Sequence, residues 1–291
     1  MTAAGKLPKI TIEKVPGLTY EPKRHRYAID GLWVPGVTTI LGILDKPALK
    51  QWAADMACEH IRSVWRPDVS SSAAEIESHL IAARTAHCRR AQAAKDAGSA
   101  AHLWLQGHVY GVRLPTPIEI RDGLKPGSAL PPALKDAGFD SLDLEGRPDE
   151  WWEAFASSVN AFLTWEHSHE IEYLEVELSI GDLVNGYAGT MDFLAWVDRE
   201  LTLGDFKTSK GVYPEFWLQL AAYAHAVIER MVGGLPVERK KLKRLVLQIP
   251  KDGGGCNPVA APADQTQDED FAAFLAAKTG WEWNRKHGGG R

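Results

Sequence analysis

Cysteine is scarce: three in 291 residues. Cys58, Cys88 and Cys256 lie far apart with no Cys-x-x-Cys spacing, so neither a disulfide framework nor a zinc or iron–sulfur site is signalled. No apolar run reaches the roughly 20 residues of a membrane-spanning helix. The opening MTAAGKLPKITIEKV has no basic stretch followed by a continuous apolar run, so it does not read as a secretory signal. The expectation is a cytoplasmic chain with no membrane contact. Positive charge is not in excess either: 33 Lys and Arg face 38 Asp and Glu, a net charge of -5. That excludes a generally basic nucleic-acid coat, but not an enzyme acting on nucleic acid, where local patches and bound cations outweigh the sum. GxSxG, HExxH and GxxxxGK[ST] are all missing, which removes the common hydrolase and nucleotide-binding signatures. What is present is 45% hydrophobic residues and 11 Trp, enough for a packed core over a single domain spanning residues 1–291.

The segment 20–35, YEPKRHRYAIDGLWVP, places an Asp-Gly turn between short aromatic and aliphatic runs and predicts a β-hairpin. Two helices follow, the second starting at Pro47, and the serines at 70–72 open an alanine-rich helix to about Asp96. Gly98 is expected to interrupt it before a further helix carrying His102. This hairpin and helical portion fills residues 1–110. Residues 110–150 are rich in Pro, Gly and Asp and read as a long loop or insertion. Helical periodicity resumes at Trp151 and gives way after Glu170 to a period of two. There Leu174, Val176 and Leu178 face one side of a strand, and Glu175 and Glu177 the other. Strands are expected near 171–180, 186–197, 201–208 and 244–250, with a helix from Pro214 between the last two. Residues 252–269 read as loose, and a closing helix follows.

The chemistry concentrates in that strand region. Asp192 precedes Asp205-Phe206-Lys207 by thirteen residues, on consecutive strands that chain reversal can bring together. Alternation puts Asp205 and Lys207 on one side and leaves Phe206 to anchor the strand from the other. Two carboxylates can hold a hard divalent cation such as magnesium, which offsets their repulsion. Lys207 is then placed to orient or help activate an attacking water and to steady charge on a scissile phosphate. An acid-x-Lys triplet alone is weak, since Glu21-Pro22-Lys23 and Glu238-Arg239-Lys240 share it. Only the Asp205 triplet lies on a predicted strand, follows GlyThrMetAsp, and precedes a helix with Gln219 and Tyr223 on one face.

In their order, GSAAH (His102), EVE (Glu177), GTMD (Asp192), DFK (Asp205, Lys207) and QLAAY (Gln219, Tyr223), these segments resemble the RecB-type branch of the PD-(D/E)xK nuclease superfamily. That branch includes phage and CRISPR-associated exonucleases. VPGVTTILGILDKPALKQWAA also looks like the opening of phage-encoded members, so the resemblance covers about residues 20–250. It implies an α/β, restriction-endonuclease-like fold with a mixed central sheet flanked by helices. His102, Asp192, Asp205 and the Phe206 carbonyl would ligate Mg2+ or Mn2+, with Lys207 and Glu177 catalytic beside the two aspartates. The cysteine cluster that some members use for an iron–sulfur centre is missing, so that cofactor is not expected.

The implied function is metal-dependent DNA hydrolysis, most simply by an exonuclease in phage or bacterial recombination, repair or replication, with a recombination or helicase protein as a possible partner. The alternative is a nuclease-fold DNA-binding or assembly protein that is inactive or partner-dependent. Each site residue also has a plainer reading. A histidine in an alanine-rich helix is commonly a surface or core residue, and imidazole suits manganese, iron or zinc better than magnesium. Gln219 and Tyr223 either order the site or contact DNA, or simply pack a helix on the sheet. The run Arg239, Lys240, Lys241 to Arg244 is a solvated face or a phosphate-contacting patch, with Lys23, Arg24, Arg26, Arg89 and Arg90 as further candidates. The scattered Trp and Tyr residues read as core before stacking platforms.

Overall fold

The computed structural model describes residues 7–21, 24–44, 47–66, 69–124, 129–232 and 242–288, apart from the side chains of 47–49 and 89–96. After a short strand β1 (Thr11–Ile12) comes an antiparallel sheet of β2 (Leu18–Glu21), β3 (Arg26–Ile29) and β4 (Leu32–Val34). Asp30 and Gly31, at φ +49° and +77°, turn β3 into β4, the tight hairpin geometry their residue types favour. The hairpin expected there thus gains β2 as a third strand.

Helix α1 (Val37–Leu41) and helix α2 (Pro47–Val64) follow, the latter with Pro47 at its start. Ser72 and Glu75 form a reciprocal capping box at the head of α3 (Ala73–Val109). This helix runs unbroken for 37 residues, so the interruption expected at Gly98 does not occur. The glycine serves close packing: a Cβ there would lie 2.4 Å from Thr208 Oγ1 and 3.0 Å from Lys251 Nζ. Residues 110–150 correct a second expectation. They hold α4 (Pro117–Gly123), α5 (Pro132–Asp136) and a 3-10 turn at Phe139–Ser141. Ile120, Leu134, Phe139 and Leu144 are buried from this stretch, so a few apolar anchors fix a chain whose average composition is loop-like.

Helix α6 (Asp149–His167) leads into β5 (Ile171–Asp182), β6 (Tyr187–Val197) and β7 (Glu200–Lys207), then α7 (Pro214–Glu229), β8 (Met231–Val232), β9 (Lys243–Gln248), β10 (Asn257–Ala260) and α8 (Gln267–His287). The main sheet has the order β10-β9-β7-β6-β5. Only β7 and β9 pair in parallel, as strands joined by a crossover helix must; the other pairs are antiparallel. Strand β10 lies within the 252–269 segment that composition marks as loose, where Gly253–Gly255 conceal it. Helices cover both faces. Phe155 and Phe162 of α6 and Trp104 and Leu105 of α3 pack with Phe193, Phe206 and Leu247 on one side. Leu220 and Val227 of α7, Phe274 of α8 and Ile40 of α1 pack with Met191, Leu194, Leu203 and Val246 on the other. Among the described residues no helix is long and apolar enough to cross a membrane.

Candidate metal centre

The site forms where β6 and β7 stop pairing. Their ladder runs from Val197–Glu200, across a turn with Asp198 and Arg199 both at positive φ, to Phe193–Gly204, and ends there. Gly204 admits no side chain, because a Cβ would lie 1.8 Å from Phe193 Cζ. Beyond this pair the Phe206 N–H donates to Asp192 Oδ2 at 2.6 Å, a side chain of β6 taking over from its backbone. The Phe206 ring is buried against Phe162 and Phe193, while Asp205 meets α7 on the opposite face. The strand alternation read from the sequence therefore holds here.

His102, on the same face of α3 as Gly98 one turn earlier, reaches the sheet because that glycine lets the helix settle on the end of β7. Its Nε2 lies 3.0 Å from Glu177 Oε1 and 3.9 Å from Asp192 Oδ1. Glu177 comes from the edge strand β5, which bulges between Tyr173 and Glu175. Its own φ of +48° is a left-handed conformation rare for a side-chain-bearing residue, and costs about 1 kcal/mol or more. Asp205 is almost wholly buried. Its Oδ1 accepts from Gln219 Nε2 at 2.9 Å, and its Oδ2 lies 2.5 Å from Lys207 Nζ without a well-angled hydrogen bond. Lys207 Nζ also sits 5.0 Å above the Phe216 ring, a contact the sequence offers no signal for.

Charge accounts for the site's protonation. Burial pushes the His102 imidazole down, but Asp192 and Glu177 outweigh it and raise it to about 9. Burial pushes Asp192 up, and lifts Asp205 to about 6 despite Lys207. Lys207 is driven down by burial, yet its neighbours Asp205 and Asp192 win and raise it. Three carboxylates thus share two cationic side chains in a buried setting, a surplus of negative charge that a divalent cation relieves. The donor set fits one: ligand atoms of His102, Glu177 and Asp192 lie within 4.8 Å of one another, the one such His/Cys/Asp/Glu group among the described residues.

Gln219 and Tyr223 are buried on α7, with Gln219 Nε2 3.4 Å from the Tyr223 hydroxyl. They face Asp205 and the core, not solvent. Gly189 of the GTMD segment makes room for the Tyr223 ring, since a Cβ there would lie 2.5 Å from Tyr223 Cε1. Arg239, Lys240, Lys241 and Lys23 lie outside the described residues, as do the side chains of Arg89 and Arg90. The rest of the basic run is engaged: Lys243 bonds Glu200 at 2.8 Å, and Arg244 is buried against Asp270. Arg24 and Arg26 are exposed, Arg24 3.6 Å from Glu21. Tyr110, just beyond α3, is 57% exposed.

A mixed sheet that opens beside an Asp-x-Lys strand, with helices on both faces, is a restriction-endonuclease-like α/β fold bearing a metal-type acidic site. The chain belongs to the PD-(D/E)XK nuclease superfamily, whose family model matches residues 76–285, from α3 through nearly all of α8. Members of that superfamily are generally metal-dependent nucleases. No curated protein matches the chain.

Proposed function

We propose that the protein is a DNA exonuclease of the RecB-type branch, hydrolysing phosphodiester bonds with Mg2+ or Mn2+ in phage or bacterial recombination, repair or replication. The observation that carries this is the meeting of Asp192, Asp205 and Lys207 at the open end of the β6–β7 pair, with His102 and Glu177 beside them. His102, Asp192, Asp205 and the Phe206 carbonyl would hold the cation, with Glu177 beside His102 and Asp192. When bound, the cation supplies Lewis-acid polarisation of the phosphodiester and offsets the negative charge that builds on it.

Lys207 is held as an ammonium by the buried Asp205 carboxylate, so it acts as a donor. It orients the attacking water and steadies charge on the phosphate oxygens, while a carboxylate of the cluster, Glu177 foremost, takes the water's proton. One P–O bond forms, the bond to the leaving oxygen breaks, and that oxygen takes a proton from solvent, with no covalent enzyme intermediate. Gln219 and Tyr223 order Asp205. Arg239, Lys240 and Lys241 supply phosphate contacts, and a recombination or helicase protein in the cytoplasm delivers DNA ends.

The test is cleavage of matched linear and circular DNA, single- and double-stranded, with Mg2+ or Mn2+ and with chelator. Degradation of linear forms alone, abolished by chelator, is expected. Cutting of circles makes the protein an endonuclease, and binding without any cutting moves it to the inactive-fold class.

A further inference from the structure

A cleft of about 660 Å³ runs along the free edge of β5, between β2 with the segment before it and the C-terminal end of α3. Its lining includes Glu177, a member of the metal cluster. Tyr20, Tyr110 and Tyr173 line it with Glu175, and Lys14 stands at its rim. The first two rings are fixed in place. The Tyr110 hydroxyl donates to the Val176 carbonyl at 2.8 Å, although the residue is largely exposed. Tyr20 stacks on Tyr27 at 4.7 Å, and the Tyr27 hydroxyl bonds Thr190 of β6 at 2.9 Å. Such rings lose little freedom when a flat ligand stacks on them.

We infer that this cleft binds an unpaired nucleobase of the strand being cut, next to the phosphate at the metal cluster; this rests on the nuclease reading above. The polarity of the cleft selects the base over the phosphate. Glu175 repels an anion but accepts from exocyclic amino and ring N–H groups. Lys14 at the rim suits the backbone phosphate. The cleft takes the base of one strand, so the strand is single where it enters. Base–tyrosine stacking is tolerant of sequence, so the site would accept any base.

The experiment uses a single-stranded oligonucleotide with 2-aminopurine stepped through its terminal positions, bound to the full chain in chelator. The fluorescence is expected to be quenched at one or two adjacent positions. Tyr110→Ala or Tyr20→Leu abolishes the quench and weakens single-strand binding about 5- to 150-fold. Tyr110→Phe, which keeps the ring and loses only the hydroxyl bond, retains both. Blunt-duplex binding is unchanged in all three. An unaltered quench in Tyr110→Ala and Tyr20→Leu overturns the assignment, as does an equal loss of duplex binding. Cleavage with Mn2+ is read separately: a wild type that shows the quench but never cuts contradicts the nuclease reading and leaves the base site standing.

Discussion

Gln219→Met removes the hydrogen bonds that Gln219 Nε2 gives Asp205 and, at the longer 3.4 Å, the Tyr223 hydroxyl, while nearly keeping the side chain's length and volume. In the wild type Gln219 Nε2 donates to Asp205 Oδ1 at 2.9 Å, and both residues are buried. A hydrogen bond to a charged, buried acceptor contributes about 1.5–3 kcal/mol, and the acceptor left behind cannot recover it from water. At about 2–4 °C of melting temperature per kcal/mol for a chain of this order of size, the variant should melt about 3–12 °C below the wild type. Asp205 also loses the group that fixes its orientation, so Mn2+ affinity should fall by about 10- to 100-fold, as for other residues that hold a metal ligand in place. Calorimetric melting and Mn2+ titration read the two effects independently. A variant with wild-type melting and wild-type Mn2+ affinity would show that Gln219 does not hold Asp205.

Gly98→Ala should destabilise the protein in urea unfolding. The roughly 1 kcal/mol that alanine gains inside a helix is outweighed by a Cβ 2.4 Å from Thr208 Oγ1; a more stable variant would mean that the α3–β7 contact yields. Asp182 is pushed up by burial, but the His225 ring 3.2 Å away and hydrogen bonds from Asn185 win and hold its carboxyl well below the ordinary carboxylate range. Its depressed value makes it stabilising above about pH 4 and progressively less so as acid titrates it. Asp182→Asn should therefore destabilise clearly at pH 7 and much less near pH 2, and an equal loss at both pH values contradicts that linkage. Asp192→Asn should keep the wild-type circular dichroism spectrum yet abolish the rise in melting temperature that Mn2+ gives the wild type; a retained rise removes Asp192 from the ligand set.

The Asp-x-Lys strand was legible because its information is local. Alternation alone puts Phe206 in the core and Asp205 and Lys207 at the site, and the thirteen-residue interval to Asp192 is a hairpin's length. His102 and Glu177 are 75 residues apart, and only the order of motifs tied them together. What escaped the sequence depends on contacts across the fold. Gly98 reads as a helix breaker until Thr208 is seen against it. Four buried anchors turn residues 110–150 from a loop into packed structure, and Gly253–Gly255 hide a strand that exists only through pairing with β9. The bulge before Glu175 and the left-handed backbone of Glu177 leave no trace in residue type. Arg244 looked like part of a basic surface, and only the fold sets Asp270 beside it.

The central claim separates cation binding from bond cleavage, and Lys207→Ala tests it most directly. Mn2+ affinity by calorimetry and hydrolysis of linear DNA should be measured on the same preparation, beside wild type and Asp192→Asn. Lys207→Ala is predicted to bind Mn2+ within a few-fold of wild type while cleavage falls by at least about 100-fold, as for loss of one transition-state donor. Asp192→Asn should lose both. Wild-type cleavage by Lys207→Ala, or a folded wild type that binds no Mn2+, contradicts the account.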